Sequence, residues 1–442
     1  MKLKEYVLSA NTGLDAIKRA PIVDYDTGLK CIRIQDISQN KTFEDWGDTL
    51  TTSSDYTKFR LRVNDILVAR TGATVGVSYI VLENYNAVFN NGTIRLKLKD
   101  NCNPKFIYYV LQTREFMQYI DNVSCVATQP NLRVENLLRF YIPDLSVEKQ
   151  NQIATFLSKY DDLIDNNNKR IKIIEQMAEN LYKECFAYHK IKDLSKEVRL
   201  RDIIQIVRGL SYSSEEIDVD EGNNLVNLKN IQAFGGFRRD GTKLYAGKYK
   251  QEQVVKCGDL VMGVTDMTQD RRTVGSVALI PKMNGVSVIS ADLIKILSAI
   301  DNVFLFAMFK YGNVSKYISQ FANGANVLHL KPQAVLNIKV MLPPQDMIDN
   351  YVQFAKPLLD KIEYLNQAND NLVQQRDMLL PRLMSGKLEV KEEQEKVVAF
   401  KPKKTFAEFK TAFAAVARKD GGLTDQDMEE LYKAYCDDSR DE

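Results

Sequence analysis

The chain repeats itself, and this internal repetition constrains its fold more than any other feature of the sequence. Five short segments occur twice, each time in the same order. The matched pairs are Gly13-Leu14 with Gly209-Leu210, 31–37 (CIRIQDI) with 225–231 (LVNLKNI), 65–68 (DILV) with 259–262 (DLVM), Val75-Gly76 with Val274-Gly275, and 137–145 (LLRFYIPDL) with 335–344 (VLNIKVMLPP). The offset varies from about 194 to about 200 residues, as loop insertions in the second copy would cause. The shared order predicts two copies of one unit of roughly 190–200 residues.

Length and composition are those of a multidomain globular protein. A chain of 442 residues is too long for one ordinary core, so two or three domains are expected. No apolar run reaches the roughly 18 residues that a membrane helix needs. The first residues, MKLKEYVLSANTG, lack the apolar core of a secretory signal. We therefore predict a cytoplasmic protein.

Cysteine and histidine are placed in a way that predicts no metal site. The six cysteines stand singly along the chain without a CxxC pair. This spacing suits a reducing compartment and argues against a disulfide framework or a zinc site. The two histidines, His189 and His329, are also far apart. Each is expected to be a surface or packing residue rather than a metal ligand.

Charge is distributed unevenly, although the net charge of the whole chain is only +2. Residues 1–142 carry 18 Lys and Arg against 15 Asp and Glu, and residues 193–341 carry 19 against 15. The other segments are neutral or acidic. A small basic excess in two regions is compatible with contacts to DNA phosphates but does not require them.

Each copy consists of a mixed part followed by a long helix. The mixed part alternates short β-branched runs, such as GTIRLKL, with turn residues and short helical stretches. Seam residues then recur at alternating spacings of four and three, as in a coiled coil. In the first copy they are Ile153, Leu157, Tyr160, Ile164, Asn167, Ile171, Ile174, Ala178, Leu181 and Cys185, and in the second Leu358, Ile362, Leu365, Asn369, Leu372, Arg376, Leu379 and Leu383.

These seams allow two interpretations. Each helix could simply pack on its own domain. Each seam spans about 30 residues and contains one asparagine near its middle, which favours pairing of the helices, because a lone polar seam residue fixes register. An antiparallel pair could place Asn167 opposite Asn369. Pro357 should kink the second helix or restart it near its beginning.

The predicted fold class is α+β, with two pseudo-two-fold-related mixed α/β domains separated by a long antiparallel coiled-coil helix pair. A helix of 40 residues is about 60 Å long, so the pair would act as a ruler. The tail is expected to contain two short helices, which begin at the capping boxes Thr405–Glu408 and Thr424–Asp427. Its role stays open between a helical hairpin without a part in DNA reading and a partner-docking module. The expected boundaries are 1–142, 143–192, 193–341, 342–390 and 391–442.

Three segments carry a resemblance to a known family. They are DILVARTGATVG, ATQPNLRVENLLRFYIP leading into VEKQNQIATFLSKYDDLID, and GANVLHLKPQAVLNIKVMLPP. Over about residues 1–390 the chain resembles the specificity subunit of type I restriction-modification enzymes. One departure is that Asp349-Asn350 stand where Gln150 stands in the first copy, so an identical helix cap is not expected in the second copy.

The resemblance implies that each mixed domain is a target recognition domain that reads one half of a split double-stranded DNA sequence. It further implies that the helices set the gap between half-sites and dock two methyltransferase subunits, which restriction and translocase subunits join. No cofactor is then expected in this chain, and S-adenosylmethionine, ATP and Mg²⁺ are expected on the partners. A duplex has matching pseudo-two-fold symmetry, and divergence between the copies predicts half-sites of different sequence.

Polar loop residues are the candidates for DNA contact, because Arg, Asn, Gln, Ser and Thr reach both phosphates and base edges. The simpler interpretation of many of them is ordinary solvated loop polarity. The segment TDMTQDRR is the most distinctive candidate, since it lies in an insertion into the repeated turn, although Asp266 and Asp270 could pair with its arginines or accept from cytosine. The candidates are Lys18, Arg19, Arg70, Thr71, Asn90, Asn91, Gln129, Asn131 and Arg133 in the first copy, and Ser211, Tyr212, Ser213, Arg238, Arg239, Thr265, Asp266, Gln269, Arg271, Arg272, His329 and Lys331 in the second.

Motifs for catalysis are missing or incomplete. The segment NPKF at 103–106 has a lysine where an amino-methyltransferase motif needs a second proline. Gly72 and Gly76 are not followed by the GK[ST] of a phosphate-binding loop. Asp377 with Glu389-Val390-Lys391 imitates a nuclease site, without a strand to hold the carboxylates together. We predict a non-catalytic DNA-recognition subunit; the alternatives are a protein-binding adaptor that bridges two partner copies and a subunit that supports methylation without restriction.

Overall fold

The computed structural model describes residues 1–39, 41–72, 74–124, 131–186, 191, 193–217, 219–267 and 269–390. The chain forms two compact units. Unit 1 contains residues 1–166 and, from the end of the described chain, 369–390; unit 2 contains residues 167–368. No helix in the described ranges is long and apolar enough to cross a membrane. The predicted tail, residues 391–442, lies outside the described residues, and the five sequence boundaries stay a prediction.

Unit 1 is a mixed structure of short strands and helices. Its strands are β1 (Val7–Thr12), β2 (Ile22–Val23), β3 (Lys30–Ile32), β4 (Gly47–Thr49), β5 (Ile66–Ala69), β6 (Ser78–Ile80), β7 (Ala87–Phe89) and β8 (Thr93–Leu98). Its short helices are α1 (Ile34–Ser38), α2 (Ser53–Phe59), α3 (Pro104–Val110), α4 (Arg114–Ser124) and α5 (Val134–Leu138). The first long helix, α6 (Val147–Phe186), begins in this unit.

Unit 2 contains the remaining described elements. Its strands are β9 (Lys196–Arg199), β10 (Ile204–Arg208), β11 (Asn223–Val226), β12 (Lys243–Tyr245), β13 (Val254–Val255), β14 (Leu260–Gly263), β15 (Thr265–Asp266), β16 (Val277–Leu279), β17 (Ser287–Ile289), β18 (Leu293–Ser298), β19 (Leu328–His329) and β20 (Lys339–Leu342). Its helices are α7 (Asn302–Lys310), α8 (Val314–Ser319), α9 (Pro332–Leu336) and the start of the second long helix, α10 (Gln345–Met384).

Sheet topology confirms the predicted repeat. The order β1-β8-β5-β6 in unit 1 matches β10-β18-β14-β16 in unit 2. In each unit a second sheet is built around a parallel pair, β3 with β7 and β11 with β17, and the first strand of each pair also bonds an antiparallel neighbour. The copies differ at the edges of this second sheet, where β2 joins unit 1 and β13 joins unit 2.

The repeated apolar strands β5 and β14 are buried on both faces, which explains why their sequences are continuous apolar runs. Side chains alternate across a strand. In β5, Ile66 and Val68 therefore face one apolar cluster while Leu67 faces another. In β14, Leu260 and Met262 face one cluster while Val261 faces another.

The aspartate that precedes each of these strands anchors the same ion pair in both units. Asp65 pairs with Arg95 at 3.7 Å, and Asp259 pairs with Lys295 at 2.7 Å. Burial raises the pKa of Asp65, and the charge of Arg95 opposes that shift. The repeated Asp therefore has a structural role, and its partner can be either Arg or Lys.

The two long helices run antiparallel, as the seam pattern predicts. Within unit 1, Leu157 near the start of α6 shares a cluster with Leu383 near the end of α10. Within unit 2, Phe186 at the end of α6 packs on Tyr351 near the start of α10, with ring centroids 5.2 Å apart. All of the predicted seam positions are buried or half-buried. Asn167 and Asn369 belong to different units, so their pairing stays a prediction.

Two details at the start of α10 differ from the prediction. The helix begins at Gln345 and continues through Pro357, so the proline does not restart it. Counted from the helix starts, the position of Gln150 in α6 corresponds to Ile348, not to Asp349-Asn350. Gln150 is buried and accepts a hydrogen bond from the backbone N–H of Asn103 at 2.9 Å. Ile348 is equally buried and cannot make that bond.

The seam arginine Arg376 is explained by an ion pair inside unit 1. Its Nη1 donates to Asp161 Oδ1 of α6 at 2.6 Å. The other carboxylate oxygen of Asp161 accepts from the hydroxyl of Tyr109 at 2.5 Å. Burial raises the pKa of Tyr109, and the hydrogen bond to the carboxylate raises it further. Arg376 thus stands at a seam position because the carboxylate of Asp161, which also accepts from Tyr109, pairs with it across the helices.

Removing this cation should destabilise unit 1. We expect Arg376→Leu to lower the free energy of unfolding by about 2 kcal/mol, because the partly buried carboxylate of Asp161 would lose its counter-charge. Urea unfolding followed by circular dichroism measures the change. Arg382→Leu, at an exposed position of the same helix, is the matched control and should cost under about 0.5 kcal/mol. Equal losses for the two variants would contradict the role of the network.

Candidate nucleic-acid interface

Four backbone hydrogen bonds bring separate polar segments of unit 1 to one place. Leu14 N–H donates to Phe89 O at 2.9 Å, and Asn91 N–H donates to Leu14 O at 2.8 Å. Arg70 N–H donates to Gly92 O at 2.9 Å. Leu132 N–H donates to Arg70 O at 2.8 Å. We call the meeting point of residues 13–14, 70–71, 90–92 and 131–132 the junction of unit 1.

The same four bonds recur in unit 2. Leu210 N–H donates to Ile289 O at 2.8 Å, and Ala291 N–H to Leu210 O at 2.6 Å. Val264 N–H donates to Asp292 O, and Leu330 N–H to Val264 O, both at 2.8 Å. The junction of unit 2 therefore consists of residues 209–210, 264–265, 290–292 and 329–330.

The repeated Gly-Leu pair makes each junction possible. A Cβ on Gly13 would overlap the carbonyl oxygen of Phe89, and one on Gly209 would overlap that of Ser290, closer than the 3.0 Å that Cβ atoms keep. The glycines therefore serve close backbone approach. The second repeated glycine has another reason, since Gly76 and Gly275 have φ angles of 93° and 79°.

Equivalent positions in the two junctions carry different side chains. Thr71 and Thr265 match, and each bridges to the residue across from it, Asn131 and His329 respectively. Arg133 and Lys331 also match, because they directly precede α5 and α9. Arg70 of unit 1 is replaced by Val264. The two junctions thus share one backbone arrangement but carry different polar side chains.

In unit 1 the structure brings most of the predicted residues together. The Nη2 of Arg70 donates to Asn131 Oδ1 at 3.0 Å, and its Nε is buried without a hydrogen-bond partner among the described residues. The Oδ1 of Asn90 accepts a hydrogen bond from the backbone N–H of Gly92 at 3.2 Å. Asn91, Asn131 and Arg133 are exposed, whereas Gln129 lies outside the described residues.

The turn that follows Leu14 carries Lys18 and Arg19 beside this junction. Asp15 accepts from the backbone N–H groups of Ile17 and Lys18 at 3.0 and 2.8 Å, and these bonds lower its pKa. Arg19 pairs with Asp55, which lowers the pKa of that carboxyl. Both cations of the turn are exposed, but Arg19 is paired with Asp55, whereas Lys18 forms no ion pair among the described residues.

In unit 2 the junction opens into a pocket of about 280 Å³. Arg208, Thr265, His329 and Lys331 supply its polar lining. Within the described chain, Arg208, His329 and Lys331 form no ion pair, while the nearby carboxylate of Asp292 accepts from Thr265 Oγ1 at 2.9 Å. Such a cationic pocket suits an anion.

Arg208 is the functional candidate that the sequence analysis missed. It ends β10 and directly precedes the repeated Gly209-Leu210 pair. Its counterpart in unit 1 is Thr12, so the repeat gave no reason to select it. Its position directly before a glycine of the repeated pair was the one sequence feature that could have identified it as a candidate.

The inserted segment of unit 2 is a structured loop. Asp266 is only 2% exposed and accepts from the N–H groups of Thr273 and Val274 at 2.7 and 3.3 Å. This corrects the prediction that Asp266 contacts DNA, because its carboxylate holds the loop from inside. Thr265 is also buried, with its hydroxyl bonded to Asp292.

At the surface of the same loop the predicted residues are exposed or half-buried. Arg272 pairs with Asp270 at 2.6 Å, which is one of the two alternatives weighed for that acid. Gln269 donates to Ala325 O at 3.0 Å. Arg271 has a left-handed backbone, with a φ angle of 55°.

The remaining candidates of unit 2 make local contacts. Ser213 donates from both its N–H and its Oγ to Glu216, and Tyr212 packs on an apolar cluster, while Ser211 is exposed beside them. Two of the predicted arginines form ion pairs within unit 2: Arg238 pairs with Asp240, and Arg239 pairs with Glu363 of α10.

Among the described residues, the incomplete catalytic motifs are not arranged as active sites. Residues 103–106 cap and begin α3, and Asp377 pairs with Arg376 on α10. Glu389 follows that helix in irregular structure, and Lys391 and His189 lie outside the described residues. Among the described residues, no group of three or more His, Cys, Asp or Glu could hold a metal ion.

Comparison with known families supplies the decisive observation. Residues 29–176 match the model of the type I restriction modification DNA specificity domain. This segment is thus similar to the type I DNA specificity domain. This finding confirms the resemblance seen in the sequence motifs. The matched range includes Arg70, Thr71, Asn131 and Arg133 of unit 1, whereas Lys18 lies before it.

Relatives along most of the chain carry consistent names. The MjaIX specificity subunit of a type I restriction enzyme from Methanocaldococcus jannaschii is 25% identical over 72% of this chain and 76% of its own. The MjaVIII specificity subunit from the same organism is 21% identical over 74% and 80%. Over most of its length, the chain is thus similar to type I specificity subunits.

Solved structures give weaker likenesses. The S subunit of a type I restriction-modification system from M. genitalium is 17% identical, with a TM-score of 0.47 over 87% of this chain and 95% of its own. The HsdS subunit from Thermoanaerobacter tengcongensis is 14% identical, with a TM-score of 0.32 over 88% and 96%.

Proposed function

We propose that the chain is the non-catalytic specificity subunit of a type I restriction-modification complex and binds a bipartite DNA sequence. The observation that carries the proposal is the duplicated junction, in which the same four backbone bonds present different polar side chains. One junction then contacts each half-site. The match of residues 29–176 to the specificity domain and the similarity to named specificity subunits support the same conclusion.

The chemistry of the junctions suits base and phosphate contacts. In unit 1, Arg70 and Asn131 combine a guanidinium with an amide, and these groups pair well with guanine and adenine edges in the major groove. In unit 2, His329 replaces the amide and Val264 replaces the arginine. Because hydrogen-bonding groups differ at equivalent positions, the two half-sites should differ in sequence.

The long helices contribute residues to both units, and in the proposal their length sets the gap between half-sites. Two methyltransferase subunits dock on this chain, and restriction and translocase subunits join them. In the proposal, S-adenosylmethionine, ATP and Mg²⁺ are bound by those partners and not by this chain. The chain itself supplies DNA recognition and a scaffold.

Selection from randomised duplexes tests the proposal. The full chain, alone and with its methyltransferase partner, is incubated with a randomised pool, and the bound DNA is sequenced. We expect two short conserved blocks separated by a fixed gap, with an affinity that falls steeply as salt rises. Scrambling either block should abolish selective binding. A pool without conserved blocks, together with partner binding that is independent of DNA, would instead identify a protein-binding adaptor.

A further inference from the structure

The exposed side chain of Phe234 in unit 2 points to a mode of DNA contact that polar groups cannot supply. This inference rests on the proposed function. Phe234 has a left-handed backbone with a φ angle of 65°. A bulky side chain rarely adopts this conformation, and the strain costs about 1–3 kcal/mol when the surrounding structure imposes it. Strained residues of this kind concentrate at functional sites.

The surrounding loop holds Phe234 in place. Gln232 N–H donates to Gly236 O at 2.9 Å, which closes a tight turn around the residue. Gly236 N–H donates to Val277 O at 2.8 Å, which ties the turn to β16. Gly236 has a φ angle of 124°, a backbone conformation that L side chains rarely adopt, so the turn depends on its glycine. The ring is therefore carried by a short, well-bonded support.

The side chain of Phe234 nevertheless points away from the core. It is 67% exposed, and Met267, in the neighbouring loop, is 71% exposed. The backbone N–H of Phe234 donates to Arg272 O at 2.8 Å, so the ring lies beside the inserted loop. The side chain of Arg272 is 52% exposed. An exposed ring on a well-bonded turn is thus tied through its backbone to an exposed arginine, whose guanidinium pairs with Asp270 at 2.6 Å.

We infer that Phe234 is an apolar wedge that inserts at a base step of the second half-site. Proteins that kink DNA insert single apolar side chains between bases, while nearby cations contact the phosphates. Phe234 supplies the wedge, and Arg272 supplies a nearby guanidinium that would exchange its partner Asp270 for a phosphate. The wedge gives sequence preference through deformability, and pyrimidine–purine steps unstack most easily.

The surroundings favour DNA over a protein partner. Stable protein interfaces bury about 800 Å² on each side around an apolar centre. The exposed residues of this turn and of the inserted loop include Gln232, Gln269 and Arg272, and the large apolar side chains exposed there are Phe234 and Met267. One rigid ring within a polar, partly basic surface is suited to a gap between two bases.

The test compares ring removal with ring retention in the full chain. Phe234→Gly removes the ring and accepts the left-handed backbone, so the fold should be kept. Phe234→Trp retains an aromatic face. Leu8→Ala, at a residue of unit 1 that is 69% exposed, is the matched control for loss of exposed apolar surface. Binding is measured to the selected duplex, with 2-aminopurine placed at successive positions of the second half-site.

For wild type we expect a rise in 2-aminopurine fluorescence at one step, because unstacking relieves quenching. Phe234→Gly should lose this rise and bind about tenfold or more weakly. Its dependence of affinity on salt should be unchanged, because a phenyl ring neutralises no phosphate. Phe234→Trp and Leu8→Ala should bind like wild type.

The wedge and the proposed function fail in different ways. If wild type selects no duplex, the proposed function is wrong and the wedge falls with it. If wild type binds selectively and Phe234→Gly has the same affinity and fluorescence, only the wedge is wrong. Loss of methyltransferase binding by Phe234→Gly, with DNA binding intact, would overturn the wedge in favour of a protein contact.

Discussion

Replacing Gly209 with alanine should lower the free energy of unfolding of unit 2 by about 3 kcal/mol. The new Cβ would overlap the carbonyl oxygen of Ser290. That segment cannot retreat, because Ser290 N–H is bonded to Val226 O at 2.8 Å and Ala291 N–H to Leu210 O at 2.6 Å. The parallel contact between β11 and β17 would have to move with it. For a unit of this size the melting temperature should fall by roughly 6–12 °C.

Differential scanning calorimetry measures this loss, and two other glycines provide comparisons. Gly285→Ala is the control: its φ angle of 78° is strained for alanine, but nothing lies within 4 Å of the added Cβ. We expect it to cost about 1 kcal/mol. Gly13→Ala should behave like Gly209→Ala but in unit 1, since its Cβ would overlap Phe89 O. A Gly209→Ala loss no larger than that of Gly285→Ala would show that the junction backbone can relax.

The double variant Arg208→Ala with Lys331→Ala should weaken recognition of the second half-site about a hundredfold at low salt. Both side chains line the pocket at the junction of unit 2, where neither is paired with an acid of the described chain. Each cation lost from a phosphate contact should also reduce the slope of log affinity against log salt by about one. Two cations therefore predict a reduction of about two.

Fluorescence anisotropy over a salt series, with duplexes carrying one intact half-site, measures both effects. Lys339→Ala removes a surface charge that pairs with Glu197 and should leave affinity and slope unchanged. Arg133→Ala, at the position of unit 1 equivalent to Lys331, should affect only the first half-site. Equal losses at both half-sites for the double variant would contradict the assignment of one junction to each.

The fold was predictable where chemistry is local or repeated. The Gly-Leu and Val-Gly pairs marked the close approach and the left-handed turn, because only glycine fits those backbones. The seam spacing marked α6 and α10, since a coiled-coil stripe is a property of sequence spacing. Of the two outcomes expected for Pro357, the restart was wrong, because a missing N–H can be tolerated within a long helix that packing holds, and the kink stays a prediction.

The site was less predictable, because side-chain accessibility depends on distant segments. Asp266 and Arg272 are near neighbours in one polar run, yet one carboxylate is buried and the guanidinium is exposed. Arg239 looked like a DNA contact, but its partner Glu363 lies 124 residues away along the chain. Arg208 had no marker except its position before a repeated glycine.

Sequence alone determined that the chain holds two copies of one mixed α/β unit, two long helices and a specificity-subunit resemblance. These features follow from residue order, spacing and the steric needs of glycine. Only the tertiary structure decided which polar residues share a junction, that His329 takes the place of Asn131, and that Phe234 stands exposed beside Arg272. The physical reason is that such neighbours are joined by backbone hydrogen bonds between segments far apart in the chain, and residue spacing carries no record of those bonds.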